Sequence, residues 1–140
     1  MLFDRVAGKL PEVDFEKESA LWQLVVEANS AGVLRSAKDI SVGGIAIALA
    51  KMAATSGKGV SVSVACEDKR DIFSESFSRA IVEVSECDRF EKLAAKHGVP
   101  FTKVGSVGGE KFVCNDITRK VSDLQRIFYT TFQNVIEKDL

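Results

Sequence analysis

Two adjacent glycines, Gly43 and Gly44, separate a strand-like run from an apolar, alanine-rich run, and this junction limits what the chain can build. Upstream, Val33 to Ile40 has the character of a strand. Downstream, Ile45 to Ala54 has the length and apolarity of a buried helix that ends near Gly57 and Gly59. Glycine accepts left-handed backbone and close approach of other chain, so the pair marks a tight strand-to-helix turn. Folds that pack helices on a sheet are built from such junctions.

The same reading extends in both directions. Residues 1–13 form a loop or linker containing Pro11. Asp14 has the form of an N-cap for a helix carrying Leu21, Leu24, Val25 and Ala28, with Gly32 as its stop. Val60, Val62 and Val64 alternate with small polar residues, as in a strand with one buried face. A charged loop, Glu67 to Asp71, precedes a strand at Arg79 to Val84 and a helix at Glu86 to Lys96. Phe101 to Val107 and Lys111 to Asn115 read as two strands, with Gly108-Gly109 between them as a hairpin signal. Ser122-Asp123-Leu124-Gln125 has the form of a capping box. It opens a last helix carrying Leu124, Phe128, Phe132, Val135 and Ile136, of which Phe128, Phe132 and Val135 predict a stripe buried against the domain or a neighbour.

The expected order is α-β-α-β-β-α-β-β-α, an α+β fold with a mixed sheet packed by helices. Its middle reads β-α-β-β-α-β, the split arrangement of ferredoxin-like folds, with the first and last helices added. The 140 residues suit a single domain, 1–140, with one core. Nineteen basic against 20 acidic residues leave a net charge of −1, which argues against nucleic acid or an anionic membrane as partner. No apolar run approaches the roughly 18 residues a membrane span needs, and the start has no apolar signal core. The three cysteines, Cys66, Cys87 and Cys114, are odd in number and far apart, which fits reduced thiols better than a disulfide framework or zinc site. The single histidine, His97, falls at a helix end, where a cation suits the dipole; a structural role is expected for it.

Two stretches carry candidate chemistry. In the first, Asp39 ends a strand, Ser41 is placed to cap the next helix, and Gly43 and Gly44 let a ligand approach the helix start, where free amides favour an anion. A carboxylate beside such a turn can hold Mg²⁺ against phosphate oxygens, which makes Asp39 the candidate metal ligand. A capped strand–turn–helix in which the glycines serve only the bend meets the same spacing. In the second, Phe73-Ser74-Glu75-Ser76-Phe77-Ser78-Arg79, Glu75 and Arg79 are placed to bind a ligand or to pair with each other; a plain solvated loop is the alternative.

Both stretches resemble one family. Ser36-Ala37-Lys38-Asp39-Ile40-Ser41-Val42-Gly43-Gly44-Ile45-Ala46-Ile47-Ala48-Leu49-Ala50-Lys51-Met52 is similar to S-A-H-D-x-S-D/E-G-G-L-A-V-A-L-A-E-M. That segment occurs at the C-terminal end of the synthetase subunit of phosphoribosylformylglycinamidine synthase. Ile72 to Arg79 resembles that family's L-F-S-E-S-x-S-R, and the helix with Glu18, the phrase Ala31 to Ser36 and the ending from Val121 extend the likeness over nearly the whole chain. The wider superfamily, which includes aminoimidazole ribonucleotide synthase, shares the D-x-x-x-G-G turn.

The resemblance implies the last domain of a longer cytoplasmic multidomain ligase. That ligase uses ATP and Mg²⁺ to join glutamine-derived ammonia to formylglycinamide ribonucleotide. Its implied partners are the preceding domains of the same subunit, a glutaminase subunit and a small accessory subunit. Asp39, Ser41, Gly43, Gly44, Glu75, Ser76 and Arg79 are the implied nucleotide or substrate half-site, with no catalytic residue of its own. No cofactor is expected on this chain alone. Lys38 replaces the family's usual His, Val42 its acid, and Phe77 a smaller residue, so the half-site reads as degenerate, architectural or auxiliary. The competing expectation is a stand-alone ferredoxin-like ligand-binding or regulatory module.

Overall fold

Helix α1 (Phe15–Ser30) begins where the Asp14 side chain accepts from the backbone N–H groups of Glu16 and Lys17, as an N-cap does. It ends at Ala31 and Gly32, the latter at φ +70°. The computed structural model describes residues 12–138; the predicted loop at 1–13, Pro11 included, lies almost wholly outside the described residues.

Strand β1 (Leu34–Asp39) leads through the glycine turn into α2 (Gly44–Ser56). Alanines on α2 let it sit deep in the fold: Ile45, Ala46, Ala48, Leu49, Ala53 and Ala54 are all buried. Gly57, at φ +70°, closes it by donating its N–H to the Ala53 carbonyl at 2.9 Å. Then follow β2 (Val60–Val62), a 3₁₀ turn (Asp71–Phe73), β3 (Ala80–Val84) and α3 (Cys87–Lys96). Strands β4 (Gly105–Val107), β5 (Lys111–Cys114) and β6 (Ile117–Lys120) precede the final helix α4 (Val121–Lys138).

The α+β class with helices on mixed strands is as the sequence predicts, but the strands form two sheets rather than one. β1 pairs antiparallel with β3, and the second sheet runs β4-β2-β5-β6. Thus β2 and β3 do not pair, and a single ferredoxin-like sheet does not form. Nor is Gly108-Gly109 a hairpin, because β2 lies between β4 and β5, antiparallel to the first and parallel to the second. The glycines wrap the start of β2 instead: Gly59 donates to the Gly109 carbonyl and Gly108 to the Gly59 carbonyl, each at 2.8 Å. A Cβ on Gly59 would stand 2.4 Å from the Lys111 carbonyl oxygen, which explains the third glycine there. The hairpin the sequence reading lacks is β5–β6, turned by Asn115 at φ +50° and Asp116.

Two apolar clusters hold the elements. Leu24, Ala28, Val33, Phe90 and Ala94 join α1 and α3 on one face of the β1–β3 pair, with Val82 and Val84 packed against them. Ile40, Ile45, Leu49, Val60, Ile72, Ile81, Phe112 and Val121 form the other, around α2. Of the two surfaces expected to cover the stripe of the last helix, its own domain covers little. The helix starts at Val121, one residue before the proposed capping Ser122, and Gln125 donates to the Ala54 carbonyl at 3.1 Å instead of closing a capping box. Val121 is buried and Leu124 packs against the core, but Phe128, Val135 and Ile136 are exposed; the Phe132 side chain lies outside what is described. The β5–β6 hairpin directs only the first turns of α4 onto α2, so its outer turns leave the core. Among the described residues, no helix is long and apolar enough to cross a membrane.

Candidate functional site

The register of β1 against β3 brings the two chemical stretches together. Asp39 stands opposite Ala80, and the Ile40 N–H donates to the Arg79 carbonyl at 3.1 Å. The end of one strand and the segment entering the next therefore share one edge. With α1 beside them they enclose a cleft of about 870 Å³, lined among others by Glu18, Trp22, Asp39, Ser41, Glu75 and Arg79.

The carboxylate of Asp39 is mostly exposed and lies 2.9 Å from the Lys38 ammonium. That ammonium, with the Ser41 hydroxyl second, holds Asp39 below the usual carboxylate range. Arg79 donates to the Ser76 hydroxyl at 3.1 Å and does not pair with Glu75 among the described residues. Ser76 is half-buried, whereas Glu75 and Arg79 are exposed. The cleft thus offers three carboxylates, a guanidinium and an ammonium at a solvent-open mouth. This set can bind and orient a polar ligand.

The glycines do not line this cleft. Gly43, at φ +88°, is the N-cap of α2 in place of Ser41, whose carbonyl accepts the Gly44 N–H at 2.8 Å. Gly44, at φ +65°, presses on the 3₁₀ turn, where an added Cβ would meet the Phe73 carbonyl carbon at 2.5 Å and the Ile72 oxygen at 2.6 Å. Both glycines therefore answer a demand of the fold. Of the sequence-derived candidates, Asp39, Ser41, Glu75, Ser76 and Arg79 converge, and Gly43 and Gly44 support them from behind.

Around Asp39 the donors do not fit a resident Mg²⁺ held by this chain alone. Its neighbour is a cation, and among the described residues no group of three or more His, Cys, Asp or Glu side chains converges on a point. Trp22 is absent from the sequence reading of the cleft, and Ser78 stands there only inside the second stretch, with no role of its own. Trp22 donates its indole N–H to Glu18 at 2.8 Å, and the i, i+4 spacing of that pair on a predicted helix was the available signal. Ser78, at φ +57°, has no comparable signal, because serine does not ordinarily announce left-handed backbone. His97, the C-cap of α3, lies with Nε2 2.7 Å from Glu27 and far from this chemistry in sequence and packing.

Comparison with known proteins gives a consistent result. The phosphoribosylformylglycinamidine synthase subunit PurL of Nitratiruptor sp. is 50% identical over 141 residues, covering 99% of this chain and 19% of the relative. The same-named protein of Campylobacter curvus is 46% identical over 138 residues, again 99% of this chain and 19% of the relative. The chain thus spans about a fifth of the length of these relatives. Among solved structures, the fold matches PurLQS from Thermotoga maritima with a TM-score of 0.70 at 22% identity, over 84% of this chain and 23% of that one. It also matches T. maritima PurL complexed with ATP, with a TM-score of 0.67 at 22% identity, over 81% and 22% of the two chains. Residues 3–115 match the profile of the AIR synthase related protein, C-terminal domain, and the chain belongs to that family.

Proposed function

We propose that this chain supplies the C-terminal domain of a phosphoribosylformylglycinamidine synthase, the ATP-dependent ligase that converts formylglycinamide ribonucleotide to its amidine with glutamine-derived ammonia. The observation that carries this reading is 50% identity to a PurL subunit along 99% of the chain. In the ligase the cleft at Asp39, Ser41, Glu75, Ser76 and Arg79 serves as a nucleotide or substrate half-site, completed by preceding domains of the same subunit. It orients and encloses; the bond-forming groups belong to those domains. Any Mg²⁺ there leans on ligand phosphates and on donors outside this chain, in keeping with the lone carboxylate at Asp39. The exposed apolar residues of α4 and α1, among them Phe128, Ile136, Phe15 and Val26, supply contact area for those domains. Glutaminase and accessory subunits complete the assembly, and the cytoplasm is its compartment.

The test is formation of the amidine from ATP, Mg²⁺, formylglycinamide ribonucleotide and ammonia. It compares the longer subunit, the same subunit ending before Phe15, and the present chain. Turnover is expected only in the first, and adding the chain to the shortened subunit is expected to restore part of it. Turnover by the chain alone, or undiminished turnover by the shortened subunit, overturns the reading.

A further inference from the structure

Glu18 touches both walls of the cleft. Its Oε1 accepts from the Trp22 indole N–H and its Oε2 from the Ser78 hydroxyl, each at 2.8 Å. The first partner lies one turn along α1; the second is 60 residues away in sequence, on the segment that enters β3. Both carboxylate oxygens are therefore engaged by neutral donors, and among the described residues no cation pairs with Glu18.

The two bonds fix different things. Trp22 is 55% exposed, so packing alone does not set its ring; the bond from its N–H does. Ser78 is one of two non-glycine residues at positive φ among those described, and such backbone persists only where surroundings hold it. Its neighbour Arg79 bonds the end of β1 through its carbonyl and reaches Ser76 through its guanidinium. Where Ser78 is held, the Ser76–Arg79 face of the cleft is held with it.

We propose that Glu18 is the positioning residue of this cleft: its carboxylate couples the Trp22 ring on one wall to the Ser76–Arg79 segment on the other, so that the cleft is preformed before a ligand arrives. In the half-site reading above, on which only this ligand assignment rests, the coupling sets a planar ring on Trp22 at a fixed offset from an anionic group at Arg79. The coupling itself is a property of this chain.

Trp22 is the only tryptophan of the chain, so its fluorescence reports this one place. Glu18→Ala is expected to shift Trp22 emission and to raise its quenching by acrylamide. It is also expected to speed tryptic cleavage after Arg79 severalfold relative to cleavage after Arg70. Glu18→Gln retains an acceptor for the indole and an amide for the Ser78 oxygen, and is expected to restore both readouts. Ser78→Ala cuts only the far arm: faster cleavage after Arg79 with unchanged Trp22 emission is expected. Unchanged emission and cleavage in Glu18→Ala overturn the proposal. If that variant does not fold, unchanged cleavage after Arg79 in Ser78→Ala overturns it. None of these readouts involves nucleotide or turnover, so their failure is distinct from failure of the ligase reading.

Discussion

Asn115 engages both backbone groups of Val64 with a single side chain: its Oδ1 accepts the Val64 N–H at 2.8 Å, and its Nδ2 donates to the Val64 carbonyl at 3.0 Å. The amide acts as one more rung of the parallel β2–β5 ladder, beyond the point where the strands end. Asparagine also tolerates the φ of +50° that the β5–β6 turn demands. Asn115→Ala removes two partly buried bonds at about 1 kcal/mol each and leaves the left-handed strain, so a loss of roughly 2–3 kcal/mol is expected. Asn115→Gly is expected to recover part of the turn and none of the bonds. Urea denaturation of the three proteins checks this order; equal stability of Asn115→Ala and the parent contradicts it.

Gly44 and Gly32 share a positive φ, +65° and +70°, but not surroundings. A Cβ on Gly32 meets nothing within 4 Å, whereas one on Gly44 runs into the backbone of Ile72 and Phe73. Gly32→Ala should therefore cost only the left-handed penalty, about 1–2 kcal/mol. Gly44→Ala adds a clash with backbone that cannot move away cheaply, and its loss should exceed that of Gly32→Ala. Thermal melts that rank them the other way would show that the 3₁₀ turn yields freely.

How far the sequence discloses this molecule depends on the range of the interaction that decides each element. α1, β1, α2, β3 and α3 follow from local signals such as Asp14, Gly32, Gly57 and the apolar periodicity, and all five form close to where those signals put them. The pairing of β4 with β2 instead of β5 is decided by Gly59 receiving the Gly108-Gly109 loop, a contact across the chain that no local pattern records. The Asp39 and Arg79 segments are each visible as motifs, but their meeting depends on the β1–β3 register. Trp22 enters the cleft only because α1 packs beside that register through Leu24 and Ala28.

For α4 the apolar stripe is real and its burial in this chain is not. Phe128 and Val135 are 45% and 53% exposed. Substituting either by Ala should change the stability of this chain by less than about 1 kcal/mol, as for surface positions generally. Val121→Ala, at the buried start of the helix, should cost more, about 1–3 kcal/mol. Denaturant unfolding separates the cases; a loss of several kcal/mol in Phe128→Ala would mean that the helix folds back on its own domain.

Acid should destabilise the fold through surface carboxylates. The Arg70 guanidinium holds Asp68 down at about 2, Lys38 and Lys69 lower Asp39 and Asp116, and Lys96 followed by His97 lowers Glu27. A carboxyl group depressed on folding stabilises the native state above its unfolded value, near 4, and that contribution is lost as pH falls through the folded value. The melting temperature should therefore decline as the pH is lowered from about 5 towards 2. At 1 M salt, where charges are screened beyond about 3 Å, the decline should be shallower. A melting temperature that rises on acidification would reverse the sign of the argument.

Asp39 tests how complete the cleft is. A lone exposed carboxylate paired to Lys38 at 2.9 Å has to exchange an internal cation for a hydrated one before it can hold Mg²⁺, and Val42 contributes no second acid. Mg²⁺ keeps its waters unless phosphates or several oxygens replace them, so calorimetry of this chain should detect no binding of Mg²⁺, or of Mg²⁺-ATP, tighter than about 1 mM. In the longer subunit, Asp39→Asn should alter nucleotide occupancy at this cleft or the melting of the assembled domains, while the chemical step changes only indirectly. Micromolar binding of Mg²⁺-ATP by the present chain, abolished by Asp39→Asn, would show a cleft already complete without its neighbours. Loss of turnover in the longer subunit with nucleotide binding and stability intact would place Asp39 among the groups that act on the reacting atoms.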